Sequence, residues 1–116
     1  MLRLRQSHEY EAVFAQGRVV SSRLFVVRTR INNLSHARLG LIAGTKALPR
    51  AVDRNRGKRL VREVFRRAQQ DLAAIDIVVQ LRAELGRQNN AAARRDLLGL
   101  FAGINRGSRP PEHNNL

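Results

Sequence analysis

The spacing of apolar residues changes several times along the chain, and each change predicts an element. Tyr10, Val13 and Phe14 recur at i, i+3 and i+4, which places them on one side of a helix. Ser7 can cap its start, Glu9 and Glu11 lie in or near the first turn where the helix dipole favours acids, and Gly17 can stop it, predicting a short helix over residues 8–16. Residues 19–31 then read as a strand, with the run Leu24-Phe25-Val26-Val27 followed by the alternating Arg28-Thr29-Arg30-Ile31. Asn32-Asn33-Leu34-Ser35-His36 reads as a turn and residues 37–43 as a second strand, so the pattern predicts an antiparallel hairpin between the two.

The segment after Pro49 is strongly amphipathic. At 3.6 residues per turn Leu60, Val61, Val64, Phe65 and Ala68 share one face, while Asn55, Lys58, Arg59, Arg62 and Arg66 share the other. Asp53 can cap this helix, and Gly57 within its first turns costs roughly 1 kcal/mol relative to Ala. The run Asp76-Ile77-Val78-Val79-Gln80-Leu81-Arg82 suits a buried strand. Asn89 or Asn90 can cap a last helix from Ala91, with Ala93, Leu97, Leu100, Phe101 and Ile104 on its inner face. Residues 106–116 carry Arg109-Pro110-Pro111 and little to bury, so a disordered tail is expected after a domain spanning residues 1–105.

A chain of 116 residues supports one hydrophobic core, and with four Phe, one Tyr and no Trp that core must be mainly aliphatic. Charge alters the picture more. Twenty-two Lys and Arg against nine Asp and Glu give a net +13, a self-repulsion that a polyanion would relieve. Only Lys46 and Lys58 are lysine, and the planar fork of arginine suits phosphate and base contacts. Without cysteine there is no disulfide, thiolate metal site or cysteine nucleophile. The amino terminus lacks the apolar run of a signal peptide and no stretch nears the ~20 apolar residues of a membrane helix, so a cytoplasmic protein with no membrane contact is expected.

Candidate chemistry is sparse. His8, His36 and His113 are scattered over a helix start, a turn and the tail, which suggests neither a metal site nor a nucleophile–base pair. Sequence-near acids such as Glu9 with Glu11, or Asp71 with Asp76, suit dipole and capping roles. No catalytic residue is therefore assigned to the protein. A solvated helix face would alternate its signs, yet residues 50–67 hold eight Lys or Arg against Asp53 and Glu63 alone. Like charges at i,i+4 destabilise an isolated helix, so this face points to a nucleic acid; a membrane would compete for the apolar stripe that the core needs.

The stretch Arg54-Asn55-Arg56-Gly57-Lys58-Arg59-Leu60-Val61-Arg62-Glu63-Val64-Phe65-Arg66 resembles the signature of the bacterial ribonuclease P protein component family. Tyr10-Glu11-Ala12-Val13-Phe14 followed by Gly17, Arg38-Leu39-Gly40-Leu41 and Asp76-Ile77-Val78-Val79 are similar to other family segments, so the likeness covers about residues 2–104. The resemblance implies an α+β, two-layer α-β-β-β-α-β-α sandwich of the ribosomal-protein-like kind with a left-handed βαβ crossover, which periodicity alone would argue against. It implies an RNA-binding subunit that assists a catalytic RNA in removing the 5′ leader of precursor tRNA, with Mg²⁺ held mainly by the RNA and none held tightly by the protein. The implied partners are that RNA and precursor tRNA, with no obligate protein partner. By position, Arg54, Asn55, Arg56, Lys58, Arg59 and Arg62 would dock on the catalytic RNA, and Tyr10, Phe14, Val27, Arg28 and Lys46 would line the leader cleft.

Of the two aromatics Tyr10 is expected to be the more exposed, because its hydroxyl needs a partner or water. Three positions depart from the family pattern: Gly57 replaces an aliphatic residue, Thr45 replaces the first of two lysines, and Arg28 stands where an aromatic often lies. The family's metal-binding loop near the last strand is not matched. The alternative reading is a structural RNA-binding protein of the ribosomal kind with the same general fold.

Overall fold

The computed structural model describes Leu4 and residues 7–72 and 74–107. The expected tail, except for the helical residues 106 and 107, lies outside the described residues. In chain order the elements are α1 (Ser7–Gln16), β1 (Arg18–Ser21), β2 (Phe25–Ile31), β3 (Arg38–Ile42), α2 (Ala51–Ala68), β4 (Ile75–Leu81) and α3 (Asn90–Gly107), with short 3₁₀ segments at Gln69–Asp71 and Ala83–Arg87. This is the α+β order that the family resemblance implies.

Strand pairing differs from the hairpin that the local pattern predicts. The apolar stretch over residues 19–31 is two strands, folded back so that Val19 lies opposite Arg28. Ser22 makes the turn: its Oγ accepts from the amides of Leu24 at 3.1 Å and Phe25 at 3.2 Å and donates to the Asp96 carboxylate on α3. β2 and β3 do not pair. The sheet runs β1-β2-β4-β3, with β4 antiparallel to β2 and parallel to β3. β4 is buried at every position except Gln80, and a strand apolar on both faces belongs between neighbours, where its backbone groups are paired on both sides. The turn at 32–36 forms as expected, with Asn33 in the left-handed region (φ 59°) and Asn32 Oδ1 accepting from the Leu34 amide.

Alternation divides the sheet into two unequal faces. Phe25, Val27, Leu39, Ile77, Val79 and Leu81 point to the main core, closed by Leu60, Val61, Val64 and Phe65 of α2 and Leu97 and Phe101 of α3. Among the described residues the other face carries α1 and Leu4, with Val13 packed on Val78 and Leu4, Tyr10 and Ile42 around it.

Two local expectations are corrected. Asp53 is not the N-cap of α2: Arg50 takes that position without a side-chain cap bond, and Asp53 lies in the first turn, 3.8 Å from the Arg50 guanidinium. Gly57, read from the sequence only as a cost to the helix, is buried where α2 descends on β4. A Cβ there would lie 2.7 Å from Leu81 Cδ1 and 2.9 Å from Leu85 Cδ2, so the glycine makes room for these two leucines against α2. Asn89 caps α3, its Oδ1 accepting from the Ala92 amide at 2.8 Å.

Asp76 has a role that neither capping nor a dipole explains. Fully buried at the start of β4, its carboxylate receives Arg38 through Nε at 2.8 Å and Nη2 at 2.9 Å and Asn32 Nδ2 at 2.9 Å, with Arg30 at 3.7 Å. Arg38 also donates to Glu9 of α1 at 2.8 Å, and the hydrogen bond to Asp76 foremost holds its guanidinium pKa above the usual arginine value. A buried charge is tolerated only when paired and hydrogen-bonded, and this network ties α1, β2, β3 and β4 together.

Asp76→Ala, which leaves Arg38 without its principal partner, is expected to lower unfolding free energy by about 3–5 kcal/mol in urea titrations. Gly57→Leu should cost about 1–3 kcal/mol by overpacking against Leu81 and Leu85, an effect that the added Leu85→Ala should reduce.

Candidate nucleic-acid interface

The apolar stripe of α2 faces the core, so geometry obliges its basic residues to face solvent. Asn55, Arg59 and Arg66 are exposed, and Lys58 and Arg62 are half-buried. Arg62 Nε is shielded from solvent and has no partner. Among the described residues none of Lys58, Arg59, Arg62 and Arg66 makes an ion pair. Glu63, the acid nearest this ridge in sequence, turns toward α3: its carboxylate meets Arg94 at 3.0 Å and Arg67 at 3.6 Å, and the Arg94 hydrogen bond holds its pKa below the usual carboxylate range. The ridge thus keeps most of its positive charge, with Glu63 acting through space on Arg66.

The two outer arginines of the Arg-Asn-Arg start are placed differently. Arg54 Nη1 reaches back to the carbonyls of Leu48 at 2.7 Å and Pro49 at 2.8 Å, bracing the turn that leads into α2. Arg56 Nη1 donates to Gln88 O and Asn90 Oδ1, both at 2.9 Å, and its Nη2 to Leu85 O at 2.8 Å.

A second surface lies on the α1 face of the sheet. Phe14 is 48 % exposed there, and the Arg28 guanidinium lies over its ring at 4.9 Å from the centroid. Arg28 Nη1 also donates to Gln80 Oε1 at 3.0 Å, and Val19, opposite Arg28 on β1, is exposed beside it. A guanidinium held over an aromatic ring, flanked by an apolar side chain, is a surface on which an unpaired base can stack.

Tyr10 and Phe14 are reversed from expectation: Tyr10 is the more buried, its ring against β3 so closely that a Cβ on Gly40 would lie 2.8 Å from it. Val27 is removed from the cleft set, because it is fully buried in the main core on the opposite face of the sheet. Val27 and Arg28 are neighbours in one strand and cannot share a face, so strand parity alone excludes the pair. Lys46 is exposed in the turn after β3, whose last residue Ile42 pairs with Gln80, so it belongs to the same end of the sheet as Gln80. Gln80 and Val19 join this surface although the sequence reading did not single them out; the signal for Gln80 was an uncharged polar side chain within a mostly apolar strand.

Among the described residues no group of three His, Cys, Asp or Glu could hold a metal ion, and no helix is long and apolar enough to cross a membrane. His8 is exposed on α1 and His36 lies in the β2–β3 turn, while His113 is outside the described residues.

Comparison with known proteins agrees with this geometry. The family model described as Ribonuclease P matches residues 1–105. A ribonuclease P protein component from Chromobacterium violaceum is 42% identical over 104 residues, covering 90% of this chain and 86% of its own. The solved ribonuclease P protein of Staphylococcus aureus superposes with a TM-score of 0.81 at 30% identity, covering 90% of this chain and 94% of that one. That of Thermotoga maritima gives 0.79 at 34% identity, covering 90% and 98%. With this match over nearly the whole folded region and the same strand and helix framework, the chain belongs to the ribonuclease P protein component family.

Proposed function

We propose that this chain binds the catalytic RNA of ribonuclease P through the α2 ridge and holds the single-stranded 5′ leader of precursor tRNA on the α1 face. In this reading the RNA subunit, with Mg²⁺ bound to it, performs the hydrolysis in the cytoplasm. The protein supplies binding energy, neutralising phosphate charge and favouring precursor over mature tRNA. The observation that carries the reading is the row Lys58, Arg59, Arg62 and Arg66 on one exposed helix face with no ion pair among the described residues. Each such cation that meets a phosphate releases condensed counterions, so affinity gained this way falls steeply with salt. The Phe14–Arg28 stack suits a different ligand, since single-stranded RNA offers unstacked bases while folded tRNA buries most of its own.

The direct test adds the purified protein to a bacterial catalytic RNA and measures leader removal at low Mg²⁺; no stimulation would defeat the proposal. Within that assay Lys58→Ala with Arg59→Ala should weaken RNA binding and reduce the slope of log affinity against log salt by about 0.7–0.9 per lost contact. The change in folding stability should stay within about 0.5 kcal/mol, because both side chains are away from the core. Phe14→Ala should cost less stability than the about 3–5 kcal/mol of a core Phe, yet weaken precursor binding by about 1–3 kcal/mol and leave mature tRNA unaffected. Melting temperatures alongside affinities for the two tRNAs check this, and equal losses for both would remove Phe14 from the leader surface.

A further inference from the structure

We infer that Arg56, which the family motif places among the RNA ligands, is a positioning residue that locks α2 to the 3₁₀ segment Ala83–Arg87 and to the start of α3. The inference rests on the reading that α2 docks on the catalytic RNA. Its basis is the set of acceptors that the guanidinium reaches: Leu85 O at 2.8 Å within the 3₁₀ segment, Gln88 O at 2.9 Å just after it and Asn90 Oδ1 at 2.9 Å at the first residue of α3. Both Nη1 hydrogens are consumed, and two of the three acceptors are backbone carbonyls at a chain reversal.

The surroundings reinforce the lock. Next to Arg56, Gly57 lets α2 approach Leu81 and Leu85, so the same stretch of 3₁₀ segment is held by packing from one residue and by hydrogen bonds from its neighbour. Immediately beyond the clamp, Asn89 caps α3 through the Ala92 amide. Turning Arg56 fully toward a phosphate would break all three of these hydrogen bonds and leave Leu85 O with the Gln88 amide at 3.2 Å, whereas the exposed Arg59, without an ion pair among the described residues, can meet a phosphate at no such cost.

The two roles respond oppositely to lysine. A phosphate contact needs a cation, and an ammonium serves; a clamp on three separated oxygens needs the planar fork, which a point charge cannot replace. Full-length variants are compared for affinity to the catalytic RNA across salt concentrations and for amide exchange over residues 85–93. Arg56→Lys and Arg56→Ala should each weaken binding by about fivefold, the equivalent of one net hydrogen bond, with the wild-type salt slope retained. Exchange over residues 85–93 should accelerate in both. Asn90→Ala, which removes one acceptor and no charge, should accelerate the same exchange to a smaller extent. Arg59→Lys, which keeps the charge, should retain the wild-type slope and bind more tightly than Arg59→Ala, and Arg59→Ala should flatten the slope by about 0.7–0.9.

Wild-type affinity in Arg56→Lys would overturn the inference, as would a slope loss in Arg56→Ala equal to that of Arg59→Ala, or unchanged exchange over residues 85–93. Failure of the wild-type chain to bind the catalytic RNA would defeat the docking reading instead, and the exchange arm would still judge the clamp.

Discussion

β4 is the constraint around which the rest is arranged. Its side chains are buried on both faces, so it requires a covering layer on each side and a strand along each edge. β2 and β3, adjacent in sequence and suited to a simple hairpin, are separated to provide those edges. The parallel pairing of β3 with β4 then demands a crossover, which α2 supplies. The one charge that β4 carries into the interior, Asp76, is tolerated because Arg38 and Asn32 meet it with three hydrogen bonds. That demand fixes the register of β3 beside β4 and, through Glu9, draws α1 onto the opposite face.

The basic surface follows from this arrangement. To cover β4, α2 must turn Leu60, Val61, Val64 and Phe65 inward, and the same helical period turns Lys58, Arg59, Arg62 and Arg66 outward. Repulsion along that row is relieved only in part by Glu63, which attracts Arg66 while its carboxylate is engaged by Arg94 of α3. The helix is held by tertiary packing and by the ties at its first turns, so it can carry a charge density that an isolated peptide would not support. The α1 face has a complementary character. A ten-residue helix cannot cover a four-stranded sheet, and among the described residues Phe14 at the helix margin joins Val19 and Arg28 of the sheet in a surface with apolar and planar groups together.

The sequence by itself determined the three helices, the extended character of the segments between them, the inner and outer faces of α2, a cap at Asn89 or Asn90 and the excess of positive charge. These are properties of residues within a few positions of one another, set by period, capping chemistry and composition. It also carried the family motif, although the leader set drawn from that motif joined Val27 to Arg28 against strand parity. Tertiary structure alone decided the rest. The order β1-β2-β4-β3 depends on burial from both sides, which local pattern does not encode. Gly57 looked like a weakness in a helix until Leu81 and Leu85, more than twenty residues away, were seen to occupy its space. Asp76 read as a dipole or capping residue in sequence because its partners Arg38 and Asn32 are distant in the chain. Arg56 and Arg59 belong to one motif and are the same residue type, yet one is tied to the α3 start and the other is open to solvent. What separates them is the position of a chain reversal some thirty residues downstream, which only the folded chain brings against α2.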